Sequence, residues 1–437
     1  MGHGPMAEAN VQIAGVAEAG GRAEPVPRVA PRRRLDTFGA LQRHPNFRLY
    51  WTGALLSNVG TWMQTLAQSW LVYQLTGSAL LLGTVNFLQG VPALFLSLLG
   101  GVLADRIERR LLMVATQTAQ MVLAFLLAGL TFAGIVRVEH VMAIAFLSGL
   151  VNAINTPVRQ GIISDLVPRE DLQNAIAVNT AQFQTSQLLG PAIAGVVVAR
   201  AGAAWAFFLN GLSFIAVIIA LLLLRLPPWK APTRKSSLWQ SAMEGIAFVF
   251  RHEVLGLLVL IAAVPAVFGR PAQQALLPVF ADSVLHVGAQ GLGALMSATG
   301  AGALAGALIV ASLSGFRRRG LLQLLTGSAY GVALVLFAAS RSLALSLALL
   351  FAGSACSMVF SSLNQTFLQS LAPDEMRGRV LSVLTLTTFG LMPLGSMVAG
   401  AAAQQWGASL VVGAGGAVCA LFALGVLVTQ PRHRNLA

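Results

Sequence analysis

Gly101-Val-Leu-Ala-Asp105-Arg106-Ile-Glu-Arg109-Arg110 is the stretch on which the reading of this 437-residue sequence turns. Apolar residues run for about twenty positions before it and about as many after it, the length a helix needs to cross the hydrocarbon core of a bilayer. A charged cluster wedged between two such runs has one place to go, the water at a membrane face. The runs are therefore consecutive spans, and the cluster is the tight turn between them. Any polytopic membrane protein could place arginines at such a turn, so the architecture has to come from the remainder of the chain.

The sequence is 56% hydrophobic and only 10% charged, with a mean hydropathy of +0.75. A soluble chain carries roughly 25% charge; one this apolar would have nothing to cover its surface with, so its solvent is lipid. The net charge of +13 would suit nucleic acid, but its distribution excludes that partner. Lys230 and Lys235 are the only lysines, and most of the arginines gather in short segments between apolar runs, as cytoplasmic loops do. With both termini cytoplasmic, only Arg137, Arg200, Arg270 and Arg341 fall outside or in the outer half, whereas the reverse orientation would export every arginine triplet. Cys356 and Cys419 lie far apart inside apolar runs and read as small core residues, with no case for a disulfide or a metal.

Residues 1–45, rich in Ala, Gly, Pro and Arg, read as a disordered cytoplasmic arm without a signal peptide, its arginines suited to anionic lipid. Six apolar runs follow within 46–226, near 50–74, 79–103, 111–133, 140–164, 173–199 and 203–225. A linker at 227–253 joins a Pro-rich bridge, Pro227 to Lys235, to a mixed segment expected to form an interfacial helix. Six more runs fill 254–430, and 431–437 is a cytoplasmic tail. The expected fold is an all-α membrane protein with twelve transmembrane helices in two six-helix repeats. An internal repeat supports it: Leu166-Val-Pro168-Arg-Glu170 matches Leu371-Ala-Pro373-Asp-Glu375. The same offset pairs Gln160 with Gln365, Thr180 with Thr385, Gly190 with Gly395 and Gly195 with Gly400. Such a repeat is expected to give parallel halves related by an axis along the membrane normal.

Read as G-x-x-x-D-R-x-x-R-R, Gly101–Arg110 resembles the loop between the second and third spans of major facilitator superfamily transporters. Asn155-Thr-Pro-Val-Arg-Gln160, its continuation through Ala175, Gly190-Pro191-Ala-Ile-Ala-Gly195, His44-Pro-Asn-Phe-Arg48 and Asn210-Gly-Leu-Ser-Phe214 resemble the enterobactin-exporter-like and macrolide-efflux-like bacterial members. The likeness covers about residues 44–430. It implies alternating access, and a conformational gate in which Gly101, Asp105, Arg106, Arg109 and Arg110 latch the two bundles on the cytoplasmic side. The positive N-terminal end of the eleventh helix, near Asp374-Glu375-Met376, is a plausible partner for Asp105. The second-half counterpart, Ser314-Gly-Phe-Arg-Arg-Arg319, has no aspartate, and Gly190-Pro191 lacks the neighbouring glycine pair of the fuller antiporter motif.

Polar stripes recur on single helical faces. They are Ser57, Thr61, Gln64 and Gln68 in the first run and Ser148, Asn152, Asn155 and Arg159 in the fourth. The seventh has Arg270, Gln273 and Gln274, and the tenth Ser354, Ser357, Ser361 and Asn364. Lipid is a poor neighbour for such a face, so each meets other helices or water. Hydrogen bonding between helices is one reading; a polar central cavity is the other. From these faces Gln64, Gln68, Asn152, Asn155, Arg159, Arg270, Ser357, Ser361 and Asn364 are the candidate substrate contacts, with Trp62 and Phe268 as apolar neighbours. A midspan guanidinium costs roughly 2.5–3.5 kcal/mol. Arg159 is thus expected to pair with Asp165, Glu170 or Asp105, or to contact substrate. Pro191, Pro265 and Pro393 are expected kink sites, and Gly302 to Gly306 a close-packing face.

No Asp or Glu stands near the middle of any run, and the rim candidates are Asp105, Asp165 and Asp282. Proton coupling, and with it antiport, is implied by the resemblance alone. The sequence has no Walker, H-E-x-x-H or G-x-S-x-G motif, which argues against a pump driven by ATP, an enzyme, a cofactor or a metal. The expected protein is a monomeric inner-membrane exporter whose partners are lipid, protons and a neutral or anionic amphipathic small molecule. An importer, an uncoupled facilitator and a non-transporting sensor are the alternatives.

Overall fold

The computed structural model describes residues 38–224, 238–312 and 318–434, apart from the side chains of 97–106, 238–242, 374 and 432. Most of the arm, the bridge Pro227 to Lys235, the side chains of Asp105 and Arg106, and the end of the tail therefore lie outside the described residues.

The described chain is helical. A short turn, Gly39–Arg43, leads into α1 (Pro45–Thr76), α2 (Ala79–Arg106), α3 (Arg109–Phe132), α4 (Val138–Leu166), α5 (Leu172–Ala201) and α6 (Ala203–Leu223). The connecting helix Leu238–Arg251 precedes α7 (Glu253–Val284), α8 (Gly288–Ser312), α9 (Arg319–Ala339), α10 (Leu343–Leu371), α11 (374–406) and α12 (Ala408–Thr429). Ten of these helices are long and apolar enough to cross a membrane. The other two, α1 and α5, match them in length, but amides and hydroxyls such as Asn58, Gln64, Gln68, Gln182, Gln184 and Gln187 lower their hydropathy.

Turn chemistry sets the helix ends. Pro45 opens α1, where its missing N–H loses nothing. Gly202 and Gly407, at φ +90° and +85°, are single-residue joints between α5 and α6 and between α11 and α12. Both need a backbone that side-chain-bearing residues avoid, and they stand at the offset of the sequence repeat.

Two of the three expected kink sites coincide with irregular backbone. A π-turn spans Pro265–Gly269 in α7, and another, Leu386–Gly390, directly precedes the turn that holds Pro393 in α11. Pro191 lies inside α5, which runs on through it as a continuous helix. A further π-turn, Phe280–Val284, ends α7.

Within the first six helices, α2 packs on α4, α6 on α1 and α3, and α5 on α1. Within the last six, α8 packs on α10, α9 on α10 and α12, and α7 on α11. Gly302 and Gly306 let α8 approach Phe351 and Ala355 of α10, the packing role expected of that face.

The two bundles meet along α2–α11 and α5–α8. At each seam two glycines cross. A Cβ on Gly400 would stand 2.9 Å from Gly83 Cα, and one on Gly195 3.0 Å from Gly293 Cα. The repeat partners Gly195 and Gly400 thus occupy corresponding crossings. Beside them at the same end, Tyr73 of α1 and Ser283 of α7 share a 2.6 Å hydrogen bond, and Ser78 Oγ donates to Gln404 Oε1 of α11 at 2.9 Å.

At the opposite end, the segment entering α1 is tied to α5. Asp171 receives Arg43 at 2.9 Å and His44 at 2.8 Å, and Ala40 N donates to Asn174 Oδ1 at 2.9 Å. The connecting helix packs on the start of α11, with an Arg379–Glu244 ion pair at 2.6 Å, while Met243 and Phe250 stay on the surface.

Candidate functional site

The polar faces of α1 and α4 meet inside the first bundle and enclose a cavity of about 240 Å³. From α1 come Ser57, Asn58, Thr61, Gln64, Thr65 and Gln68; from α4, Ser148, Asn152, Asn155 and Arg159. Gln89 of α2, Gln117 and Gln120 of α3 and Asn210 of α6 complete a lining dominated by carboxamides. Tyr50, Trp62, Phe183 and Phe214 give it aromatic patches, and no carboxylate lines it among the described residues.

Some of these amides are held by their neighbours. Asn210 Nδ2 donates to Gln64 Oε1 at 2.6 Å, Thr116 Oγ1 to Asn155 Oδ1 at 3.1 Å, and Gln120 Nε2 to the Ser148 carbonyl at 3.0 Å. Each carboxamide carries two donors and an acceptor with two lone pairs. These bonds leave much of that capacity facing the cavity.

Arg159 is the one charged side chain among the described residues of the lining. Its guanidinium carbon lies 5.9 Å from the centroid of the Phe183 ring, and Trp62 meets that ring edge-on at 6.0 Å. The quadrupole of an aromatic face attracts a cation without neutralising it. The expected pairing with Asp165 is not formed, because Arg109 holds that carboxylate. Arg109 Nη1 reaches both Asp165 oxygens at 3.0 and 2.9 Å and the Gly161 carbonyl at 3.2 Å. Glu170 is exposed in the turn beyond α4.

Arg109 therefore fastens α3 to α4, and Arg110 donates to the carbonyls of Leu222 and Leu224, covering the end of α6. Both contacts of the gate motif stay within the first bundle. The side chains of Asp105 and Arg106 lie outside the described residues, and Gly101 sits in α2.

The second-bundle candidates do not line this cavity. Arg270 Nη2 donates to Ser361 Oγ at 2.5 Å and Ser357 Oγ at 3.4 Å. Gln273 Oε1 accepts from Tyr330 at 3.2 Å, and Asn364 Oδ1 from Gln323 Nε2 at 2.8 Å. Phe268 points to the surface. Sequence spacing overlooked Gln89, Gln117, Gln120 and Asn210. Gln117 and Gln120, three apart on one helical face within an apolar run, were the signal that could have found two of them.

Residues 37–436 match the family described as transmembrane secretion effector, a branch of the major facilitator superfamily. The chain belongs to that family. It is a multi-pass membrane transporter, not an enzyme. It is 29% identical to the enterobactin exporter EntS of Shigella flexneri, covering 80% of this chain and 83% of that one. The multidrug efflux pump Tap of Mycolicibacterium fortuitum is 28% identical over 81% and 88% of the two chains. The staphyloferrin A transporter of Staphylococcus aureus is 24% identical over 82% and 90%. Among solved structures, a POT family transporter in complex with 5-aminolevulinic acid superposes with a TM-score of 0.74 at 12% identity, over 89% of this chain and 97% of that one. The nucleoside transporter NupG gives 0.67 at 15%, over 88% and 98%. These likenesses establish the fold.

Proposed function

We propose that this transporter is a secondary active exporter of the bacterial inner membrane, carrying a neutral or anionic amphipathic small molecule of siderophore, macrolide or drug-like type. The observation that carries the reading is the first-bundle cavity, amide-rich and, among the described residues, acid-free and furnished with one arginine. A permanent cation entering it would leave water with no carboxylate to meet it, a heavy penalty in a low-dielectric site. An anion or a catechol-like polar group would find Arg159 and the carboxamides of Gln64, Gln68, Asn152 and Asn155. The exporters among its relatives support export as the direction.

In this reading α1 and α5 cross the bilayer with the ten more apolar helices, and the arginine-rich loops and both termini face the cytoplasm. The end closed by Tyr73, Ser283, Ser78 and Gln404 is then the outer one. The bundles rock about the substrate, with Arg270, Ser357 and Ser361 as the facing wall and Asn364 at its inner end. Asp105 belongs to the inner latch, and protons are the coupling ion.

Flux into inverted vesicles tests this directly, with matched anionic, neutral and cationic competitors. Uptake that is driven by a pH gradient and blocked by anionic or neutral amphiphiles is expected. Quaternary ammonium dyes as preferred substrates, with Arg159→Ala leaving flux unchanged, would overturn the assignment of the cavity. Flux of the opposite sign would make the protein an importer, and flux indifferent to a collapsed gradient a facilitator.

A further inference from the structure

After α12 the chain turns back, and Pro431–Arg434 packs against α9 and α12 of the second bundle. Its His433 is 3% exposed, the only buried Asp, Glu or His side chain among the described residues. Its ring lies 6.0 Å from Phe367 of α10 at a steep angle. Nε2 lies 3.0 Å from Gln323 Oε1 of α9, and Gln323 Nε2 donates onward to Asn364 Oδ1. Gln323 and Asn364 are fully buried as well.

That line assigns the tautomer. With the Gln323 amide nitrogen committed to Asn364, its oxygen faces the imidazole and can only accept, so the histidine proton sits on Nε2. Nδ1 is then the free lone pair. It is buried and has no hydrogen-bond partner among the described residues. A second proton would go to Nδ1, where no acceptor awaits it.

Among the described residues of the elements packed around the ring there is no carboxylate. Ionisable side chains among the described residues of those elements are Arg319 and Tyr330 of α9, Cys356 of α10 and Cys419 of α12, with Arg434 on its own segment; the side chain of Arg432 lies outside the described residues. Burial holds the His433 imidazole below its ordinary range, and an imidazolium there would be a desolvated charge.

We propose that His433 is a proton-binding site that clasps the end of the chain to the second bundle while neutral and releases it when protonated. The sign follows from linkage. The free imidazole titrates near 6.5, roughly, and the docked one lower. Docking is therefore complete above that pH and weakens as pH falls below it. Asn364, which the clasp reaches through Gln323, is one α10 turn from the Ser361 that holds Arg270. Release on the terminus side thus frees the amide pair at the mouth of the second bundle.

The test needs no substrate. A fluorophore is ligated to the C-terminus of the full chain in lipid nanodiscs, and quenching by acrylamide is followed from about pH 7.5 to about pH 5.5. Quenching should rise at least about twofold on acidification, and His433→Gln should abolish the pH response. Gln323→Leu should give strong quenching already at the upper pH. A flat response in the unmodified chain, or the same response in His433→Gln, would overturn the proposal.

Discussion

The two bundles carry the same kind of polar face and treat it in opposite ways. In the first, the stripes of α1 and α4 border an open cavity, and its arginine meets an aromatic ring. In the second, most of the stripe residues are bonded to other parts of the protein, although Gln274 is exposed. Arg270 is bonded to two serines, Gln273 to Tyr330, and Asn364 to Gln323 and through it to His433. A polar stripe on a spanning helix is thus a demand for partners. Whether the demand is met by protein or left for a ligand depends on what neighbouring helices present.

The largest effect that would sharpen this contrast is expected at the two arginines. Arg159→Ala should lower transport of an anionic substrate by about thirtyfold or more, the equivalent of about 2 kcal/mol for a desolvated charge contact. Thermal stability should hardly move. Arg270→Ala should instead lower the melting temperature, through the loss of charge-assisted bonds worth about 1.5–3 kcal/mol. Flux and thermal melts of both variants decide it; the reverse pattern would break the comparison.

The seams come next. Gly83→Val and Gly293→Val place side-chain atoms where the facing helix backbone already stands, so the end sealed by Tyr73 and Ser283 should be held apart. Cross-linking of cysteines introduced at 73 and 283 should drop several-fold, an equilibrium shift of about 1 kcal/mol or more. Unchanged cross-linking would show that the crossings do not control closure.

A smaller difference should separate two amides. Gln323→Leu strands a buried Asn364 and should destabilise by about 1–3 kcal/mol, read by thermal melts. Gln64→Leu leaves Asn210 facing a polar cavity where water can replace the lost bond, so its effect should be under about 1 kcal/mol. Equal losses would mean the first cavity is drier than its lining implies. Tyr73→Phe, which removes one neutral bond across the bundles, should lower stability by about 0.5–1.5 kcal/mol at most, read by thermal melts.

Much of the fold was legible because span length and loop charge follow simple rules. Gly101–Arg110 marked a turn, and the match of 166–170 with 371–375 marked a duplication, whose glycines then stood at corresponding seams. Stripes on α1 and α4 could be read because helical spacing shows which residues share a face. Spacing does not report the partner across the bundle. Asp165 stood within reach of Arg159 along one helix, yet Arg109, across the bundle on α3, took both its oxygens. Arg270 and Ser361 are 91 positions apart, and the contact of His433 with Gln323 spans 110. Those pairings belong to the tertiary structure. The π-turns of α7 and α11 were signalled only by the prolines nearby.

The bonds that close one end of the molecule, Tyr73 with Ser283 and Ser78 with Gln404, are between uncharged groups. Mobile ions screen charge–charge attraction over about 10 Å at 0.1 M salt, but a hydroxyl–hydroxyl or hydroxyl–amide bond gives them little to screen. The strength of this seal should therefore be the same in dilute medium and in brine. The distance between spin labels placed on the two bundles at this end, with Tyr73, Ser283, Ser78 and Gln404 left in place, should be level across a salt series, and a steep dependence would reveal charges in the closure. A cell whose surroundings swing in osmolarity would keep this door equally shut throughout.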